Sequence, residues 1–156
     1  MVLETKTKSD SEYQEVKFLR NLKIENTPEG LYFALKAICE FAGWDYGEIW
    51  IPCTKGIVLE LSPIYYIKPS PNTVIMSSLE LFQFCSENFF MPPNVGLPGR
   101  VWLSKNPEWI PDLSSQSEKY FLRNKIAKAC GVKTGLGIPF IVNNEVKAVL
   151  LFLKTV

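Results

Sequence analysis

The chain has 156 residues, 47% of them apolar and 21% charged, and 17 basic against 16 acidic side chains leave a net charge of +1. That length suits one compact domain, and ten Phe, six Tyr and four Trp are too many aromatics for a disordered segment. A near-neutral balance without a basic cluster argues against nucleic acid as a partner, because neutralising phosphates needs a cationic excess on one face.

Histidine is absent. Its absence removes Ser-His and Cys-His nucleophile pairs, imidazole metal ligands and the ordinary general base at neutral pH. Cys39, Cys53, Cys85 and Cys130 stand far apart with no C-x-x-C pair, which gives neither a zinc knuckle nor a thioredoxin-like site. They read as reduced, buried thiols in a cytoplasmic setting. No apolar h-region follows Met1, and no apolar run reaches the ~18 residues of a membrane helix. Neither export nor a membrane is therefore expected, and the sequence names no cofactor and no metal.

Residues 1–12 are polar and read as a flexible N-terminus, ahead of a single domain over 13–156. A peripheral helix is expected within 13–25, with Tyr13, Val16, Leu19 and Leu22 along one face. That stripe is too polar around it for a core helix and too apolar to lie free in water, so it is expected to pair with its copy in a homodimer. Asn26-Thr27-Pro28-Glu29 is a helix start, with a hydroxyl cap and proline at the first helical position. Leu31, Leu35, Ile38 and Ala42 then recur on one face until Gly43 closes the helix.

The period next changes to two. Tyr46 to Ile51 and Ile57 to Ile67 read as strands joined across Pro52–Gly56, and Thr73 to Met76 reads as a short third strand. Ser77 or Ser78 is placed to cap a helix carrying Leu79, Phe82, Phe84 and Cys85. An irregular stretch from Asn88 to Pro93, including the apolar Phe89-Phe90-Met91, leads to Gly96-Leu97-Pro98-Gly99. The two glycines suit a tight entry to a short helix. Asn106 to Asp112 is turn-rich, with Trp109 and Ile110 facing inward. Phe121 to Ala129 reads as a helix with Phe121, Leu122, Ile126 and Ala129 on its apolar face. The chain finishes in a hairpin, Thr134 to Val142 and Val146 to Leu153 around Asn143-Asn144. Its run Val149 to Leu153 is that of a central strand covered on both faces.

Four segments, Gly43-Trp44-Asp45-Tyr46-Gly47-Glu48-Ile49-Trp50, Gly96-Leu97-Pro98-Gly99-Arg100-Val101-Trp102, Trp109-Ile110-Pro111-Asp112 and Gly135-Leu136-Gly137-Ile138-Pro139-Phe140, resemble in order and spacing those of GAF domains. The resemblance covers about residues 14 to 154. It implies an α+β fold, an antiparallel central sheet with helices on one face and a loop-roofed ligand pocket on the other. It also implies a role in sensing small molecules or light, or in dimer contacts, within a longer regulator carrying a fused output domain.

Individual GAF activities match these residues unequally. Phe121-Leu122-Arg123 stands where bilin-binding members carry their chromophore cysteine, and no histidine is there to hold the pyrroles. Asn124-Lys125 and Phe140…Asn144-Glu145 echo a cyclic-nucleotide signature, but on the wrong elements. Pro98-Gly99 occupies the stretch where the GAF-type methionine sulfoxide reductases place a loop cysteine. A non-catalytic sensor or signalling module is the reading that remains, with a bilin photoreceptor or a purely structural dimerisation module as alternatives. Its candidate ligand-binding residues are Trp50, Arg100, Trp102, Trp109, Tyr120 and Phe121. The aromatics are expected to converge as a pocket for an unidentified small molecule. Arg100 either meets an anionic group at the helix start or pairs with Glu108 or Asp112 to fix the loop.

Overall fold

The computed structural model describes residues 14–155. The segment 1–12 and Tyr13, read above as a flexible arm and the first residue of the helical stripe, lie outside the described residues. Six antiparallel strands form one sheet in the order β3-β2-β1-β6-β5-β4. They are β1 (Tyr46–Pro52), β2 (Leu59–Ile67), β3 (Phe90–Met91), β4 (Glu108–Ile110), β5 (Thr134–Val142) and β6 (Glu145–Lys154). The helices are α1, described over residues 14–22, α2 (Pro28–Ala42), α3 (Thr73–Ser86), α4 (Gly96–Ser104) and α5 (Asn124–Ala129).

Side chains alternate across the sheet, as the pleat requires. Tyr46 and Trp50 of β1 with Val149, Leu151 and Leu153 of β6 face one core, shared with α3, α4 and α5. Ile49 of β1 with Ala148, Leu150 and Phe152 of β6 face a second core, covered by α2 and flanked by α1. β6 therefore has apolar residues on both sides, which is why its sequence is a continuous apolar run. This is the expected α+β architecture. The roof over the first core consists of α3, α4 and α5 as well as loops.

α2 is built as its sequence dictates. The Thr27 hydroxyl accepts a hydrogen bond from the Gly30 N–H at 3.0 Å, and Gly43 ends the helix at φ 74° with its N–H on the Cys39 carbonyl. The terminal hairpin turns on Asn143 and Asn144, both at positive φ, 52° and 63°, the geometry that matches the strand twist. In the middle segment the structure differs from the sequence reading. Thr73 to Met76 begins α3 instead of forming a strand, because the Asn72 Oδ1 accepts from the N–H groups of Val74 and Ile75. That cap outweighs the β propensity of three branched side chains and places Ser77 and Ser78 inside the helix.

β2 starts at Leu59, leaving Ile57 in the hairpin loop and 63% exposed. Glu108–Ile110 pairs with Gly135–Gly137 as an edge strand within the turn-rich stretch, and Phe90–Met91 adds the other edge on β2. Gly96 and Gly99 belong to α4 itself. The last helix covers only Asn124–Ala129, with Phe121 to Arg123 in the turn before it, and Ala127 is buried in place of Ala129. Among the described residues no helix is long and apolar enough to cross a membrane.

Candidate functional site

The first core contains a polar centre. Glu48 takes the position between Tyr46 and Trp50 on the inward face of β1, and its side chain is wholly excluded from solvent. Arg123, in the turn before α5, reaches it with Nη2 2.6 Å from Oε2, and its own side chain is equally excluded. The carboxylate is fully engaged. Oε1 accepts from the Tyr46 hydroxyl at 2.9 Å and from Arg123 Nη1 at 3.1 Å, and Oε2 accepts from Trp50 Nε1 at 2.6 Å. Arg123 Nη1 also donates to the Ser86 hydroxyl at 2.8 Å, which donates onward to the Phe82 carbonyl.

One guanidinium thus ties β1, the last residue of α3 and the turn before α5. Aromatic rings surround it, with the guanidinium carbon 4.9 Å from the Phe82 centroid, 5.1 Å from Trp50 and 5.5 Å from Phe121. Such contact compensates part of the desolvation of a buried cation. The Arg123 Nε–H is buried without an acceptor, an omission that is costly for a charged donor. Burial, with the Glu48 charge beside it, pushes the Tyr46 phenol well above its ordinary range.

The six candidate residues are divided. Trp50 and Phe121 meet around Arg123. Trp102 packs half-buried against the same core. Arg100 takes the pairing role: its Nε donates to both Glu108 oxygens at 3.1 and 3.0 Å and Nη2 to Oε2 at 2.6 Å. Its Nη1 donates to the Tyr120 carbonyl, and its guanidinium carbon lies 3.9 Å from the Tyr120 ring centroid. Tyr120 is 44% exposed, so this stack is a surface clasp outside the core.

Trp109 lies across the sheet, in the second core, edge-on to Trp44 with centroids 5.3 Å apart. The sequence reading passed over Glu48 and Arg123. A carboxylate in register with Tyr46 and Trp50, on the face where β1 must be apolar, was the available signal. Val16 and Leu19, expected to face a second copy, pack against their own sheet, and the neighbouring Glu15 is buried with its carboxylate accepting from Trp44 Nε1 at 2.6 Å. All four cysteines are free thiols.

With this geometry in view, the likeness to solved structures fixes the fold. The GAF domain of nlh2 from A. aeolicus matches at a TM-score of 0.60 and 20% identity, covering 94% of this chain and 80% of that one. NreA from Staphylococcus aureus, solved as a protein mutated in its nitrate-binding site, matches at 0.57 and 17% over 80% and 82%. Free methionine-R-sulfoxide reductase from Neisseria meningitidis, an enzyme, matches at 0.58 and 13% over 90% and 71%. The chain has the GAF fold.

By sequence, Protein NLP1 of Arabidopsis thaliana is 39% identical over 98 residues, 59% of this chain and 11% of that protein. Transcription factor bHLH13 of the same plant is 30% identical over 64 residues, 41% of this chain and 11% of that protein. The chain thus spans about a tenth of the length of these curated relatives. No protein-family model matches it.

Proposed function

We propose that this chain is a non-catalytic sensory module of a longer, cytoplasmic or nuclear regulator, and that it responds to a small acceptor-bearing molecule at the Arg123 centre. The observation that carries the reading is the buried Nε–H of Arg123 without an acceptor, since a ligand oxygen arriving there would satisfy a donor the fold leaves open. Ser86, Glu48 and Phe121 converge on the same guanidinium, so a shift of Arg123 moves α3, β1 and the turn before α5 together. The nitrate site named for NreA makes a small planar oxyanion the first ligand to try, and the likeness to a bHLH transcription factor makes a transcriptional output the natural partner. Trp50 and Phe121 remain as walls of the site, while Arg100 and Tyr120 hold the loop above it.

The non-catalytic reading rests on chemistry, because the residues converging here are a neutralised ion pair and aromatic rings rather than an acid–base pair or a thiol relay. A homodimer is part of the proposal. Tyr32 and Phe33 of α2, 44% and 52% exposed, are among the apolar residues available to it, since Val16 and Leu19 are turned inward.

Calorimetric titration of the chain with sodium nitrate, against sodium chloride at equal ionic strength, tests the ligand. Saturable heat with nitrate that is lost in Arg123→Lys supports the sensor. Absence of heat with nitrate, nitrite and short carboxylates alike would leave a purely structural module, which the filled interior around Arg123 favours as the second reading.

A further inference from the structure

On the opposite face of the sheet the cover is incomplete. β4 pairs with β5 only over Gly135–Gly137, so beyond Gly137 one edge of β5 has lost its neighbour, and Pro139 is tolerated there. Between this stretch, α1 and the turn after α4 lies a groove of about 550 Å³, within the usual range for small-molecule sites. Its floor is apolar, formed by Leu150 and Ile138, 1% and 4% exposed, together with Phe140, and α1 contributes Val16 and Leu19 as a wall.

Its polar lining is one-sided in charge. Arg20, Lys23 and Lys105 line it, and among the described residues no acidic side chain does. Among the described residues neither Arg20 nor Lys23 forms an ion pair, and Lys105 Nζ donates only to the Asn144 carbonyl at 2.9 Å, leaving two hydrogens. Lys23 and Lys105 both sit in the left-handed region, at φ 52° and 59°, directly after the last residues of α1 and α4.

We propose that this groove is a second ligand site, for a small amphipathic carboxylate: an apolar body on Leu150, Ile138 and Phe140, and an anionic head between Lys23, Arg20 and Lys105. Charge complementarity selects this occupant. Three cations, with no carboxylate among the described residues that line the groove, favour an anion, and the buried floor favours hydrocarbon over water. A fully polar anion would leave the floor wet, and an amine of the same length would meet the cations. The site is independent of the Arg123 centre, from which the sheet separates it.

The test is a matched series, octanoate, octanol and octylamine, titrated into the full chain and followed by amide chemical shifts. Octanoate is expected to bind and to shift Ile138, Phe140 and Leu19, with octanol weaker and octylamine absent. Charge reversal at Lys23→Glu with Lys105→Glu, on side chains that are exposed and outside the cores, should weaken octanoate binding about tenfold or more while leaving the remaining spectrum intact. Equal binding of octanol and octanoate, or octanoate binding unchanged in the double variant, would overturn the proposal. Excess nitrate should not displace octanoate, so failure of the Arg123 reading and failure of this one give different results.

Discussion

Arg123 and Glu48, 75 residues apart in sequence, meet with 2.6 Å between Nη2 and Oε2 and with neither side chain open to solvent. Truncating one partner strands the other charge in an apolar interior. Arg123→Met is expected to cost about 3–5 kcal/mol, because Glu48 is left buried and unpaired, whereas adding Glu48→Gln should restore part of that loss. Urea unfolding of the two single variants and the double variant measures the coupling. Additive losses would show that the pair does not act as a unit.

The α4 entry depends on two glycines for different reasons. Gly96 stands at φ 66°, and a Cβ there would also come 2.9 Å from the Met91 sulfur. Gly99 has ordinary φ, yet its Cβ would overlap the Pro92 carbonyl oxygen. Each Gly→Ala variant is expected to lose about 1 kcal/mol or more. Gly99→Ala should be the worse of the two, because backbone yields less readily than the flexible Met91 side chain. Thermal unfolding of both variants checks the order.

Three of the four thiols differ enough to be ranked by alkylation. Cys53, in the β1–β2 hairpin loop, has its thiol lowered by the N–H groups of Val58 and Ile57. Burial pushes Cys39 and Cys130 up, and the Asp45 charge raises Cys39 further. Since the thiolate is the nucleophile, iodoacetamide at neutral pH should label Cys53 first and Cys39 last, as read by peptide mass spectrometry. Early labelling of Cys39 would mean that the second core opens locally.

Two phenols should titrate with the fold. Tyr66, buried and hydrogen-bonded to Glu40 at 3.2 Å, is pushed up to about 12, and Tyr46 is raised as well. Both folded values lie above the unfolded value of 10.0. The folded state therefore prefers the neutral ring, and this preference is costless below pH 10 and destabilising as pH rises beyond it. Phenolate absorbance should show Tyr46 and Tyr66 ionising late and together with loss of the far-ultraviolet signal. Their ionisation with the fold intact would contradict the burial.

Helix α2, the first hairpin and the terminal hairpin were legible because local chemistry and final packing agree in them: Thr27 caps, Gly43 stops, and Asn143-Asn144 turns. Residues 73–76 misled because a side-chain cap from Asn72, one residue upstream, decided against the propensity of Thr73, Val74 and Ile75. The site was legible only in its walls. Trp50 and Phe121 are conspicuous as aromatics, but the Arg123–Glu48 contact joins residues with no local relationship, and periodicity carries no information about such pairs. Trp109 was grouped with them by residue type, although an edge strand places it on the far side of the sheet.

The place of β6 sets the order in which the sheet can be completed. It lies between β1 and β5, so the strand that joins the two halves is the last of the six in chain order. Until residues 145–154 emerge, β1 and β5 each present an open edge with no neighbour on that side, and neither core has its floor. Closure then requires β1 to pair with a strand about a hundred residues further on, a contact of high loop-closure cost. A nascent chain halted in the Asn143-Asn144 turn would hold two unsatisfied edges at once, the condition under which strands from neighbouring chains pair with each other.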